Sequence, residues 1–111
     1  MEVDVKDVNG VKVLRVQGEL TGDEKETLVE TFTDLLSTPK ARIVVDLGGV
    51  AYINSAGLGE LVRMVGQANV QEARVVLASL SPYLTGIMEA TRLNRFFDIS
   101  PNVEDAVRKL S

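Results

Sequence analysis

Val44-Val45-Asp46-Leu47-Gly48-Gly49-Val50-Ala51-Tyr52-Ile53-Asn54-Ser55-Ala56-Gly57-Leu58-Gly59 is the stretch on which the reading of this chain turns. From Ile43 to Leu47 it is an apolar run broken only by Asp46. Such a run suits a strand buried on both faces, as in a parallel sheet. Gly48 to Asn54 reads as a loop, because paired glycines punctuate regular structure. A helix is expected from Ser55, with Leu58, Leu61, Val62 and Val65 as its apolar stripe and Met64 and Ala68 widening it. A buried strand, a loop and an amphipathic helix in that order make the repeating unit of an α/β fold.

The flanking sequence repeats the pattern. Residues 2–8 alternate around Val3 and Val5, Asn9-Gly10 follows, and residues 11–17 resume in strand style. Asn-Gly between two such runs predicts an antiparallel hairpin, since a type I′ turn needs φ > 0 at both central residues. Gly18-Glu19-Leu20 leads to Thr21, which with Glu24 three residues on reads as a capping box. Leu28, Val29, Phe32, Leu35 and Leu36 then mark one face of a helix that Ser37-Thr38-Pro39 ends. Arg74 to Ala78 is another buried-strand run. Ser81-Pro82 opens a helix with Ser as N-cap and Pro at the first helical position. Ile99 suits a short edge strand. Val103, Ala106, Val107 and Leu110 place a last helix after Asn102. The expected fold is α/β, one domain over residues 1–111, with about four helices and a mixed, mostly parallel sheet opened by an antiparallel hairpin. Function in such sheets gathers beyond the carboxyl ends of the strands, which points to the loops after Leu20 and Leu47.

Composition closes off much chemistry. The 111 residues include no cysteine and no histidine. That removes disulfides, thiolate metal sites and a Cys nucleophile, along with the commonest general base and metal ligand. A Ser-His-Asp triad is impossible. Neither a Gly-x4-Gly-Lys-Ser/Thr run nor a Gly-x-Gly-x-x-Gly run is present. The net charge of −4 has the wrong sign for nucleic-acid binding. No apolar stretch approaches the roughly 20 residues that span a bilayer, and the charged N-terminus is no signal peptide. We expect a cytoplasmic protein that is not an enzyme and carries no cofactor or metal.

Ser55 at a helix start reads in two ways. It is an N-cap, its hydroxyl accepting a free backbone N–H, or its hydroxyl is a reaction site. Gly57 and Gly59 in the first turn each cost about 0.8–1 kcal/mol against alanine, so they require a reason, such as close approach of another backbone or a partner. A phosphoryl group on Ser55 would lie at the positive end of the helix, where anions are favoured. Asp46 is expected to bond nearby backbone N–H groups. Phe32, Phe96 and Phe97 are expected in the core, and Tyr52 and Tyr83 half-buried with exposed hydroxyls.

Asp46-Leu47-x-x-Val50-x-Tyr52-Ile53-Asn54-Ser55-Ala56-Gly57-Leu58-Gly59 resembles the signature of STAS domains, specifically bacterial anti-sigma-factor antagonists. Gly18-Glu19-Leu20 and Ser79-Leu80-Ser81-Pro82 are similar to the family's approaches to its first and third helices. The resemblance implies a protein that binds an anti-sigma factor that is also a serine kinase, so releasing a sigma factor. It implies phosphorylation of Ser55 as the off-switch and a PP2C-type phosphatase as the reset. Asn54 and Thr21 stand where the family often has Asp. On this reading Thr21, Asp23, Tyr52, Asn54, Ser55, Ala56, Leu58 and Gly59 form the partner-binding surface. The alternative is a non-phosphorylated STAS scaffold, or an accessory module of a regulatory complex or transporter.

Overall fold

The structure, a computed structural model, describes residues 1–23 and 26–111. Strands β1 (Glu2–Val8) and β2 (Val11–Leu20) form the expected hairpin. Asn9 and Gly10 take φ of 54° and 80°, the geometry Asn-Gly favours. The Asp7 carboxylate accepts from the Gly10 backbone N–H at 3.0 Å and from Lys12 Nζ at 2.8 Å, which ties the turn to the strand beyond it.

Helix α1 (Glu26–Leu36) leads to β3 (Arg42–Ile53), α2 (Ser55–Val70) to β4 (Arg74–Ala78), and α3 (Pro82–Ala90) with a 3₁₀ turn at Leu93–Arg95 to β5 (Ile99–Ser100). Helix α4 (Val103–Leu110) closes the order. The sheet runs β1-β2-β3-β4-β5, antiparallel in its first pair and parallel in the rest, as expected. The capping box proposed for Thr21 and Glu24 lies outside the described residues, because Glu24 does.

Side chains alternate across the strands and build two cores. Leu14, Val16, Ile43, Val45, Leu47 and Leu77 face Leu28 and Phe32 of α1, Leu61 and Met64 of α2, and Leu84 and Met88 of α3. On the opposite face Val11, Val13, Val44, Val76 and Ala78 meet Ala106, Val107 and Leu110 of α4. The period-2 alternation of a strand thus makes β3 apolar on both sides. Helix α4 is held by caps as well as by its stripe: Asn102 Oδ1 accepts from Asp105 N at 2.8 Å, and Arg42 donates to the Leu110 carbonyl at 2.9 Å.

Two expectations need correction. Residues 48–53 are not a loop: β3 continues through them to Ile53 and stays paired with β2. The pairing jumps from Arg15–Asp46 to Gln17–Gly49 and from Gly18–Val50 to Glu19–Tyr52, so β3 carries an extra residue at each step. Gly48 and Gly49 lie at the first of these bulges. Gly48 N donates to Asp46 Oδ1 at 3.0 Å, the local role expected of Asp46. A Cβ on Gly49 would lie 3.1 Å from the Val16 carbonyl oxygen. The glycines that read as loop punctuation let the bulged β3 stay in contact with β2. β2 likewise runs on past residue 17 to Leu20, with Gly18 at φ 108°. The second correction concerns Phe96, which is 44% exposed, while Phe32 and Phe97 are buried. Phe96 and Phe97 pack edge to face, with centroids 5.2 Å apart and planes at 64°.

Candidate functional site

Leu20 and Ile53 are paired at the carboxyl ends of β2 and β3, so the segments leaving both strands start side by side. The Leu20 carbonyl is where they join. It accepts from Asn54 N at 3.3 Å. It also packs directly on Gly57, where a Cβ would come within 2.0 Å of the Leu20 oxygen. Further out, a Cβ on Gly22 would lie 2.8 Å from Ala56 Cβ. The loop after β2 and the first turn of α2 therefore meet backbone to backbone, and this contact is the reason for Gly57. A Cβ on Gly59 would have nothing within 4 Å, so packing does not explain that glycine.

The cap of α2 is Asn54, not Ser55. Asn54 is extended (φ −108°, ψ −180°) and its Oδ1 accepts from Gly57 N at 2.9 Å. Its carbonyl accepts from Leu58 N at 2.9 Å. Ser55 is then the first helical residue. It is exposed, and its hydroxyl bonds to no described residue. With Asn54 as the cap, the Ser55 hydroxyl has no structural duty among the described residues. The first turn of α2 contains no acidic side chain, and Asn54 is neutral, so no carboxylate in that turn offsets the positive end of the helix dipole.

On the far side of Ser55 lies a groove of about 350 Å³ between the start of α2 and α3, lined by Tyr52, Ile53, Asn54, Ser55, Leu58, Tyr83, Ile87 and Thr91. Tyr52 and Tyr83 stack at its edge, centroids 6.5 Å apart and planes 20° from parallel, within the range of favourable offset stacking. Both rings are half-exposed, as expected. The Tyr83 hydroxyl is not free, however: it donates to the Ile53 carbonyl at 3.2 Å. Tyr83, Ile87 and Thr91 were not among the expected site residues. They come from a different crossover, and nothing in their local spacing announces the contact.

Of the expected partner-binding residues, Tyr52, Asn54, Ser55 and Leu58 line the groove, and Ala56 faces the Thr21–Asp23 loop through Gly22. Thr21 is half-buried and Asp23 exposed. Gly59 is exposed and lines neither feature. Glu60 carries no signal in the sequence. It is 5% exposed and accepts from Arg63 Nε at 3.0 Å and Nη2 at 2.5 Å. This raises the Arg63 pKa, chiefly through the hydrogen bond to Glu60. The pair flanks a shallow surface with Glu26, Val29 and Glu30, away from the groove. No helix among the described residues is long and apolar enough to cross a membrane.

BtrV of Bordetella bronchiseptica, which carries the provisional name of an anti-sigma factor antagonist, is 24% identical over 106 residues, 96% of this chain and 91% of that protein. An anti-sigma factor antagonist from Mycobacterium paratuberculosis superposes with a TM-score of 0.86 at 22% identity, covering 98% of this chain and 92% of that one. The Bacillus cell fate determinant SpoIIAA, solved in its phosphorylated form, gives 0.74 at 16% identity over 99% and 100% of the two chains. The same fold recurs within a larger protein, the murine anion transporter Slc26a9, with a TM-score of 0.80 at 13% identity over 95% of this chain and 18% of that one. The family model for the STAS domain matches residues 2–106, and a match of that extent on this topology shows that the chain belongs to the STAS domain family.

Proposed function

We propose that this chain is an anti-sigma factor antagonist. It docks on an anti-sigma factor that is also a serine kinase, frees the sigma factor, and is released when that kinase phosphorylates Ser55. A PP2C-type phosphatase restores the binding form. The chain is substrate and switch rather than enzyme, and it acts in the cytoplasm. The observation that carries this reading is the exposed Ser55 hydroxyl at the first helical position, relieved of capping by Asn54. The names of BtrV and of the Mycobacterium relative support it, as does a phosphorylated form of the SpoIIAA fold.

The physics of the switch is direct. A phosphate on Ser55 adds about −1.5 to −2 charges, which the α2 N-terminus tolerates in the free chain but a docked partner would have to desolvate. Thr21, Asp23, Tyr52, Asn54, Ala56, Leu58 and Gly59 surround Ser55 as the docking surface in this reading.

Incubation with the kinase and ATP, followed by mass spectrometry and size-exclusion chromatography, tests it. The expected result is a complex that dissociates as Ser55 gains a single phosphate. An unmodified Ser55 without a complex overturns the reading. A stable complex without phosphorylation would instead favour the scaffold role, which the recurrence of this fold within a transporter supports.

A further inference from the structure

The peptide unit between Ile53 and Asn54 is bonded at both poles. Its N–H donates to the Leu20 carbonyl at 3.3 Å, and its carbonyl accepts from the Tyr83 hydroxyl at 3.2 Å. A trans peptide points these groups in opposite directions, so the two bonds grip it from opposite sides. On one side the grip is ordinary, since β2 is the neighbouring strand. On the other side β3 has outrun its partner: the last pairing with β4 is Asp46–Ala78, well short of Ile53. The Tyr83 hydroxyl takes the place of the missing strand. Its ring is held in turn by the stack on Tyr52 and by its position in the first turn of α3, which Pro82 and the Ser81 cap fix (Leu84 N to Ser81 Oγ, 3.1 Å).

We propose that Tyr83 is a positioning residue for the Ser55 acceptor. By fixing the plane of the Ile53–Asn54 peptide it fixes the capping angle of Asn54. It thereby sets the direction in which the Ser55 hydroxyl is presented to a protein kinase. This rests on Ser55 being the phosphorylated residue. Tyr83 touches neither Ser55 nor the transferred group; it acts through the peptide that precedes them. Misplacement of a reacting atom by about 1 Å costs on the order of 10²-fold in rate, so one hydrogen bond at this pivot has leverage on phosphorylation that it lacks on stability.

The test compares the full chain with Y83F, which deletes one oxygen and keeps the stack, and with Y52F, whose deleted hydroxyl bonds to no described residue. Amide hydrogen exchange on the free proteins comes first. In Y83F the Asn54 amide should exchange about two- to tenfold faster, the worth of one net hydrogen bond, with α4 amides unchanged and Y52F matching wild type. The second arm is phosphorylation by the kinase that modifies wild-type Ser55. For Y83F kcat should fall about tenfold or more while KM holds. Wild-type exchange at Asn54 in Y83F overturns the proposal whatever the kinase does, and so does a loss of protection spread evenly over the chain. A proportional change in KM without kcat makes Tyr83 a docking residue and overturns positioning. A wild-type chain that is never phosphorylated instead overturns the functional reading, and with it the catalytic half of the proposal, even where the exchange result holds.

Discussion

The carbonyl oxygen of Leu20 sits where a side chain on Gly57 would have to be: a Cβ there would approach it to 2.0 Å. The obstruction is backbone at the end of a paired strand, so it cannot rotate away. Gly57→Ala should therefore cost roughly 3 kcal/mol or more, at the upper end of overpacking penalties. Gly59→Ala, two residues on in open space, should stabilise by about 0.8–1 kcal/mol from helix propensity. Urea unfolding of both variants checks this. Equal effects of the two substitutions would mean that the strand-to-helix contact does not set the requirement at Gly57.

Asn54 carries the cap of α2 through its side-chain oxygen on Gly57 N. Asn54→Ala should lose about 1 kcal/mol, the usual worth of such a cap. Asn54→Asp keeps the acceptor and adds charge at the positive end of the helix, a gain of about 0.3–1 kcal/mol. That gain should be present near neutral pH and vanish below about pH 4, where the new carboxylate protonates. Thermal unfolding at two pH values reads both effects.

Much of this was legible in the sequence because each apolar period has a single packing solution. The stripes of α1, α2 and α4 and the buried runs of β3 and β4 lie where their spacing put them. What was illegible has a physical reason in each case. Gly48-Gly49 carries the composition of a loop and the geometry of a bulge, and only the facing residues Val16 and Gln17 distinguish the two. Asn and Ser are both good caps, so adjacent Asn54 and Ser55 could not be ranked by type; the backbone angle at Asn54 decides. The Tyr83–Ile53 bond joins residues 30 apart in sequence, through a crossover whose packing no local pattern encodes.

The hairpin offers a pH-dependent check on the opposite edge. Asp7 has its pKa lowered, first by the hydrogen bond from Lys12 and then by the Gly10 backbone N–H. A carboxylate with a depressed folded-state pKa contributes stability above its unfolded value, and that contribution fades as pH falls through the folded value. Asp7→Asn retains the acceptor for Gly10 and loses the charge together with the oxygen that accepts from Lys12 Nζ. Wild type should thus exceed D7N in stability above about pH 4, and the two should converge in stronger acid. Because the Asp7–Lys12 pair lies at the surface, added salt should shrink the difference. A gap that persists unchanged at low pH would assign the effect to something other than the carboxylate.

Ser55 gives the sharpest separation of folding from binding. Its hydroxyl makes no bond to a described residue, so Ser55→Ala should change stability by no more than about 0.5 kcal/mol. Ser55→Ala should also bind the partner constitutively, having no group to modify. Ser55→Asp places a carboxylate in the first turn of α2, where the dipole should stabilise the fold by about 0.3–1 kcal/mol. On the functional reading the same charge opposes docking, and affinity should fall by about tenfold or more, equivalent to 1.4 kcal/mol. True phosphoserine, with more charge, should weaken binding further. The signature is thus a substitution that raises the unfolding midpoint while lowering affinity, measured by calorimetry on one preparation. If Ser55→Asp binds as tightly as wild type, charge at this position is not the switch, and the partner surface lies elsewhere on the fold.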